Sequence, residues 1–223
     1  MQQVRLKKKN IVDLGIRTKI TVIPHGIEIL EEKKKNLNPK RTKKAIFFSR
    51  IHEKKGLLEL IEAWSKLNQS NWVLDIYGPV SDEKYLKNVK LKINQFNLNN
   101  FVKIYQAEHN VEKKTNIFKG SDCFILPSKS ENFGISIGEA LAHGLPVLTT
   151  TETPWQQINN YNAGVIYDVS KDNFSKVLES FLSKSDQEFY NMGINGQRLI
   201  KEKFNNDLII KKYINLYNNQ NFQ

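Results

Sequence analysis

The segment Ser49-Arg50-Ile51-His52-Glu53-Lys54-Lys55-Gly56 sets two cations, Arg50 and Lys55, beside a glycine. It follows the apolar run Ala45-Ile46-Phe47-Phe48 and precedes Leu57, Leu60, Ile61 and Trp64 at helical spacing. A loop between a strand and a helix can hold an anion in two ways, by paired charge and through the unsatisfied N–H groups of the helix N-terminus. A second segment, Glu131-Asn132-Phe133-Gly134-Ile135-Ser136-Ile137-Gly138-Glu139, also follows an apolar run and opens a helical stretch. Gly134 lets backbone approach a ligand closely.

Carboxylates only accept hydrogen bonds, so Glu131 and Glu139 would repel a diphosphate and suit hydroxyls. On one helix, eight residues rise about 12 Å, enough to reach separate parts of an extended ligand. An anion site flanked by two hydroxyl acceptors describes a nucleoside diphosphate sugar. An ordinary charged loop and a pair of surface glutamates also fit these spacings.

The elements that must position these residues are legible as apolar runs. They are Ala45–Phe48, Trp72–Ile76, Phe101–Tyr105, Cys123–Leu126, Pro146–Thr149 and, after a turn-rich stretch, Gly164–Tyr167. Helical spacing lies between them, as in Leu86, Val89, Ile93 and Phe96. Alternating strands and helices predict a doubly wound, mostly parallel α/β sheet, and continuous apolar strands are those buried on both faces. From Lys171 onward the pattern is wholly helical, through Phe174, Val177, Leu178 and Phe181 to Leu208, Ile209, Tyr213 and Leu216. Ahead of the first run, Lys19–Ile23 is a further expected strand, residues 4–14 a short helix ending near Gly15, and Glu31 to Lys44 an exposed loop.

Charge is unevenly spread. The net charge is +11; residues 1–44 hold 13 Lys and Arg against 4 Asp and Glu, and the rest 21 against 19. The basic runs suit nucleic acid, an anionic lipid surface, or plain solvation. Trp64, Trp72 and Trp155 are not interleaved with them, which argues against a stacking platform for single strands, and no nucleic-acid partner is expected. Cys123, the one cysteine, has no internal disulfide partner and reads as a core residue in a reducing compartment. No secretory signal or membrane-spanning run is evident, so a cytoplasmic protein, at most peripheral on the inner face of the membrane, is expected. His52-Glu53 has no second histidine at metalloprotease spacing, and neither a G-x-G-x-x-G nor a P-loop occurs.

Arg50 with Lys55-Gly56, Glu131-x7-Glu139, and Ala142-x-Gly144-x-Pro146-Val147 together resemble the family-four retaining glycosyltransferases of the GT-B fold. The phrases Ile23-Pro24-His25-Gly26-Ile27, Leu74-Asp75-Ile76-Tyr77-Gly78 and Asp122–Ser128 extend the likeness over roughly residues 10–218. Thr153-Pro154-Trp155-Gln156 is similar to a phrase of members that build bacterial surface polysaccharides, lipopolysaccharide among them. The resemblance implies a Rossmann-like donor half of a GT-B enzyme that transfers a UDP- or GDP-linked sugar, with retention, to a saccharide or lipid-linked acceptor. It implies that Arg50 and Lys55 hold the diphosphate, that Glu131 and the amides of Asn132, Phe133 and Gly134 meet the sugar, that Glu139 meets the ribose, and that the base rests near Tyr105 and Gln106. Arg50, Lys55 and Glu131 would be the catalytic set. No cofactor or metal is implied.

Family members carry a second, N-terminal Rossmann domain for the acceptor, and little chain precedes Pro24 here. The expected organisation is therefore a basic segment at 1–18 left from such a domain, a donor domain at 19–185 and a helical tail at 186–223. The chain would be a fragment or half of a split enzyme, with a separate acceptor-domain polypeptide as partner. A non-catalytic nucleotide-sugar-binding module is the alternative.

Overall fold

The computed structural model describes residues 11–15, 18, 20–30, 42–67 and 71–218. The basic run Arg5–Lys9 and most of the Glu31–Lys44 stretch lie outside them. Six strands form one parallel sheet: β1 (Lys43–Phe48), β2 (Trp72–Tyr77), β3 (Val102–Tyr105), β4 (Cys123–Leu126), β5 (Val147–Thr150) and β6 (Gly164–Tyr167). Their spatial order is β3-β2-β1-β4-β5-β6. The chain builds outward from β1 in one direction, then returns to add β4 on its other side, so the order reverses between β1 and β4. In such sheets the loops after the two central strands splay apart and leave a crevice.

Among the described residues, the sheet is flanked by helices α1 (Leu57–Trp64), α2 (Glu83–Gln95), α3 (Val111–Lys119), α4 (Ile135–Ala142), α5 (Gln157–Tyr161), α6 (Phe174–Leu182), α7 (Asp186–Leu199) and α8 (Asn206–Asn218). Starts are set by short polar side chains: Asp82, Asn110 and Asn173 accept from backbone N–H groups of α2, α3 and α6. Ser185 and Glu188 form a reciprocal capping box on α7. Helices α1, α2 and α6 pack together, as do α4, α5 and α7, and Leu57, Leu60, Ile61 and Ile137, Ala140, Leu141 are fully buried. None of the described helices is long and apolar enough to cross a membrane.

Three expectations are corrected. Ile20–Ile23 forms no strand; the nearest ladder contact is the single bridge Ile27↔Asn205, with the Ile27 N–H donating to the Phe204 carbonyl at 2.7 Å. A strand needs a neighbour along its length, and this stretch has none. Lys43 and Lys44 belong to β1 rather than to a loop. Lys43 meets Asp186 at 2.6 Å and lies over the Trp72 ring, and Lys44 meets the buried Asp75 at 2.9 Å, so both ammonium groups find partners while their stems cover apolar surface. The turn-rich stretch before β6 contains the short helix α5. Residues 11–13 are helical and Gly15 has a positive φ, as expected of the segment ending there.

Both loops at the crevice end on a left-handed glycine. Gly56, at φ 70°, leads into α1, and a Cβ there would collide with the Pro127 carbonyl oxygen of the other loop. A Gly56→Ala substitution is expected to destabilise the fold by about 1–3 kcal/mol, from left-handed strain plus separation of the loops. Urea unfolding checks it; an unchanged midpoint would show that the loops part without cost.

His143 caps the end of α4, with Nδ1 2.7 Å from the Glu139 carbonyl and its ring stacked on Phe118 at 4.9 Å. Burial pushes its imidazole below the ordinary value, against the raising effect of the Glu139 carbonyl and carboxylate. The unfolded chain therefore binds the proton more readily. Stability from this group is full above about pH 6.5 and is lost as the pH falls towards the folded value. His143→Gln should flatten the fall in unfolding midpoint between pH 7.5 and about 5.5; an identical slope would remove His143 as its source.

Candidate functional site

A cavity of about 780 Å³ opens at the carboxyl ends of β1 and β4. One wall is the loop after β1, with Ser49, Arg50, His52, Lys54 and Lys55; the other is Ser130 through Ser136. Glu139 of α4, Lys114 of α3 and His25 also line it. The volume lies in the range of small-ligand sites.

The two loops are tied to each other before any ligand arrives. The Lys129 N–H donates to the Lys54 carbonyl at 2.8 Å, and Ser128 Oγ donates to the same carbonyl at 3.1 Å. Lys55 Nζ meets Glu131 Oε1 at 2.5 Å, and both residues are buried. Removing either partner would strand the other charge away from water. The buried Thr150 hydroxyl donates to the Ser128 carbonyl at 2.5 Å, and the Trp155 indole N–H to the Phe133 carbonyl at 2.5 Å. This wall is thus held by hydrogen bonds to its backbone.

A second pair lines the same cavity, Lys114 Nζ to Glu139 Oε1 at 2.6 Å. Arg50 is exposed and, among the described residues, pairs with no carboxylate. Each glutamate thus has its own lysine, while the Arg50 guanidinium is exposed to meet an anion. N–H groups for such an anion come from the start of α4, where Gly134 at φ 78° turns the chain and Gly134, Ile135 and Ser136 line the cavity. At α1 the Leu58 N–H already donates to Tyr85 Oη at 3.1 Å, and Leu57 is fully buried.

Of the residues singled out in the sequence, Arg50, Lys55, Glu131, Asn132, Phe133, Gly134 and Glu139 share this cavity. Glu131 lies in the loop and not on the helix, because α4 begins only after Gly134, so the rise of a helix does not set its distance from Glu139. Tyr105 and Gln106 do not line the cavity; both are exposed at the end of β3. Tyr105 stacks on Tyr77 at 4.6 Å and Tyr77 on Phe48 at 5.8 Å, so a row of rings runs from β3 to the cavity wall. Burial, with the charges of Asp75 and Tyr105, pushes the Tyr77 phenol up to about 12, so it stays a neutral donor. Nothing local in the sequence marks Lys114, since its partner Glu139 is 25 residues away.

The glycosyl transferases group 1 family matches residues 28–199. An uncharacterized glycosyltransferase of Methanocaldococcus jannaschii is 27% identical over 178 residues, covering 78% of this chain and 44% of its own. The sucrose-phosphate synthase of Thermosynechococcus elongatus superposes with a TM-score of 0.78 at 18% identity, over 96% of this chain and 56% of that one. HepE of Anabaena, solved with UDP and glucose, gives a TM-score of 0.69 at 18% identity, over 79% and 48%. The chain therefore spans about half the length of these relatives. With the family matched across most of its length, on a parallel sheet whose order reverses at the cavity, this chain belongs to the group 1 glycosyltransferases and corresponds to the C-terminal half of their GT-B fold.

Proposed function

We propose that the cavity holds a nucleoside diphosphate sugar, UDP- or GDP-linked, and that the chain is the donor half of an enzyme transferring the sugar with retention. The observation carrying this reading is the buried Lys55–Glu131 pair in one cavity with the exposed Arg50 and the start of α4. It offers a hydroxyl acceptor and anion donors side by side, the chemistry of a sugar joined to a diphosphate. HepE, which shares the fold, was solved with UDP and glucose, and this supports a nucleotide sugar here.

In this reading Arg50, Lys55 and the α4 amides meet the diphosphate and stabilise it as negative charge builds on the leaving group. Glu131 accepts from sugar hydroxyls and at the same time holds Lys55 in place. Positioned donors in a partly desolvated cleft need no reorganisation during the reaction, so the contribution of these residues is electrostatic. The resemblance to polysaccharide-building members favours a saccharide or lipid-linked acceptor from bacterial surface polysaccharide synthesis.

Calorimetry with UDP and UDP-glucose, and with the guanosine counterparts, tests the donor reading. Arg50→Ala should cost about 1.5–3 kcal/mol of affinity for either form, as for a charge-assisted contact. Glu131→Gln should keep the free nucleotide, because Lys55 is then relieved of its counter-charge, and should weaken the sugar conjugate. Unchanged affinity in Arg50→Ala together with equal losses in Glu131→Gln would move the ligand elsewhere.

Transfer itself needs the acceptor held and water excluded, and in a two-domain cleft each half supplies one side. The purified chain is expected to bind donor without multiple-turnover transfer to saccharide or lipid-linked acceptors, and to gain it when an acceptor half is added. Transfer by the chain alone would show that one half suffices. Donor binding with no transfer under either condition would favour a non-catalytic binding module.

A further inference from the structure

Glu139 is not a free carboxylate facing the cavity. Its Oε1 is held by Lys114 at 2.6 Å, and Lys114 comes from α3, a different element. The Lys114 and Glu139 side chains are 28% and 27% exposed, and both line the cavity. The lysine stem is itself fixed, because its ammonium lies 5.2 Å from the Phe48 ring centroid and 6.0 Å from that of Phe118. Phe118 is fully buried and stacks on His143, whose Nδ1 is held at the Glu139 carbonyl. The carboxylate is thus oriented at one oxygen by Lys114, while the backbone it hangs from is braced by the His143 ring.

An ion pair this open to solvent contributes little to fold stability. What it does fix is direction. A carboxylate has two oxygens and accepts several hydrogen bonds, so with Oε1 committed to an ammonium its Oε2 keeps the capacity to accept from two hydroxyls on neighbouring carbons. We infer that Lys114 is a positioning residue that aims Glu139 at the ribose diol, and that the Lys114–Glu139 pair makes the site discriminate ribonucleotides from deoxyribonucleotides. This rests on the reading of the cavity as a nucleotide-sugar site. A carboxylate without the lysine samples several rotamers, and its bond to the diol loses the benefit of preorganisation.

The test is calorimetry on the full chain with UDP and 2′-deoxy-UDP, for the wild type, Lys114→Met, Lys114→Arg, Glu139→Gln and the double variant Lys114→Met/Glu139→Gln. Methionine keeps an unbranched stem of similar length and removes the charge, with its contacts to the Phe48 and Phe118 rings. Wild type should prefer UDP by about tenfold, the scale of a lost hydrogen bond to a charged group. Lys114→Met should bring that preference close to unity with its urea midpoint near that of wild type, Lys114→Arg should restore part of it, and the double variant should discriminate no less than either single one. A preserved preference in Lys114→Met overturns the inference, as does tighter UDP binding by that variant, which would mark Lys114 as a plug rather than a guide. Losses in the two single variants that simply add would also overturn it. If wild type binds no nucleoside diphosphate at all, the donor reading fails first, and the two failures are thereby told apart.

Discussion

Where the sheet changes direction, the loops after β1 and β4 must share one gap while the helices they feed belong to different packed layers. Two local features make this sharing feasible. Gly56 has no side chain to strike the Pro127 carbonyl, and the buried Lys55 and Glu131 pair with each other across the gap. Once those two conditions hold, the Lys54 carbonyl can take donors from both Ser128 and Lys129, and the crevice acquires a fixed floor. Everything that lines the cavity is positioned relative to that floor.

The charge arrangement follows a single logic. Carboxylates that are to receive hydroxyls must sit close to groups that receive phosphate, and in an empty site the two would otherwise be poorly balanced. Each carboxylate has its own lysine, at 2.5 Å and 2.6 Å, so the anion-binding surplus is concentrated on Arg50 and on the α4 amides. A ligand that brings both hydroxyls and phosphate can exchange partners with these groups without leaving any of them unpaired.

The six strands were legible because each is a short apolar run, and the burial that produces such runs is dictated by helices on both faces. Lys43 and Lys44 read as part of a loop because their partners, Asp186 and Asp75, lie far along the chain, and only tertiary structure explains two lysines at the start of a central strand. The reverse error occurred at residues 20–23, where apolar β-formers suggest a strand but no neighbour is available to complete it. Arg50, Lys55 and Glu131 could be picked out because glycines and strand ends mark the loops that carry them, and Glu139 because it lies on the helix that Gly134 opens. Lys114 could not, because it is one lysine among several on an amphipathic helix and is distinguished only by what α4 brings to it.

Between α7 and α8 the chain passes through one wide helical turn, Ile200–Phe204, which sets the Phe204 ring 4.7 Å from Trp155 and 5.8 Å from Phe133. Trp155 is fully buried, and its indole is tethered to the Phe133 carbonyl in the cavity wall. Beyond this joint, α8 exposes Ile210, Tyr213, Ile214 and Tyr217. The tail and the cavity wall are therefore mechanically geared. Because packed rings are nearly incompressible, a pull on α8 that shifts Phe204 must either open a void beside the indole or drag the Asn132–Phe133 backbone with it. A load on the exposed face of α8 is thus felt in the wall of the cavity.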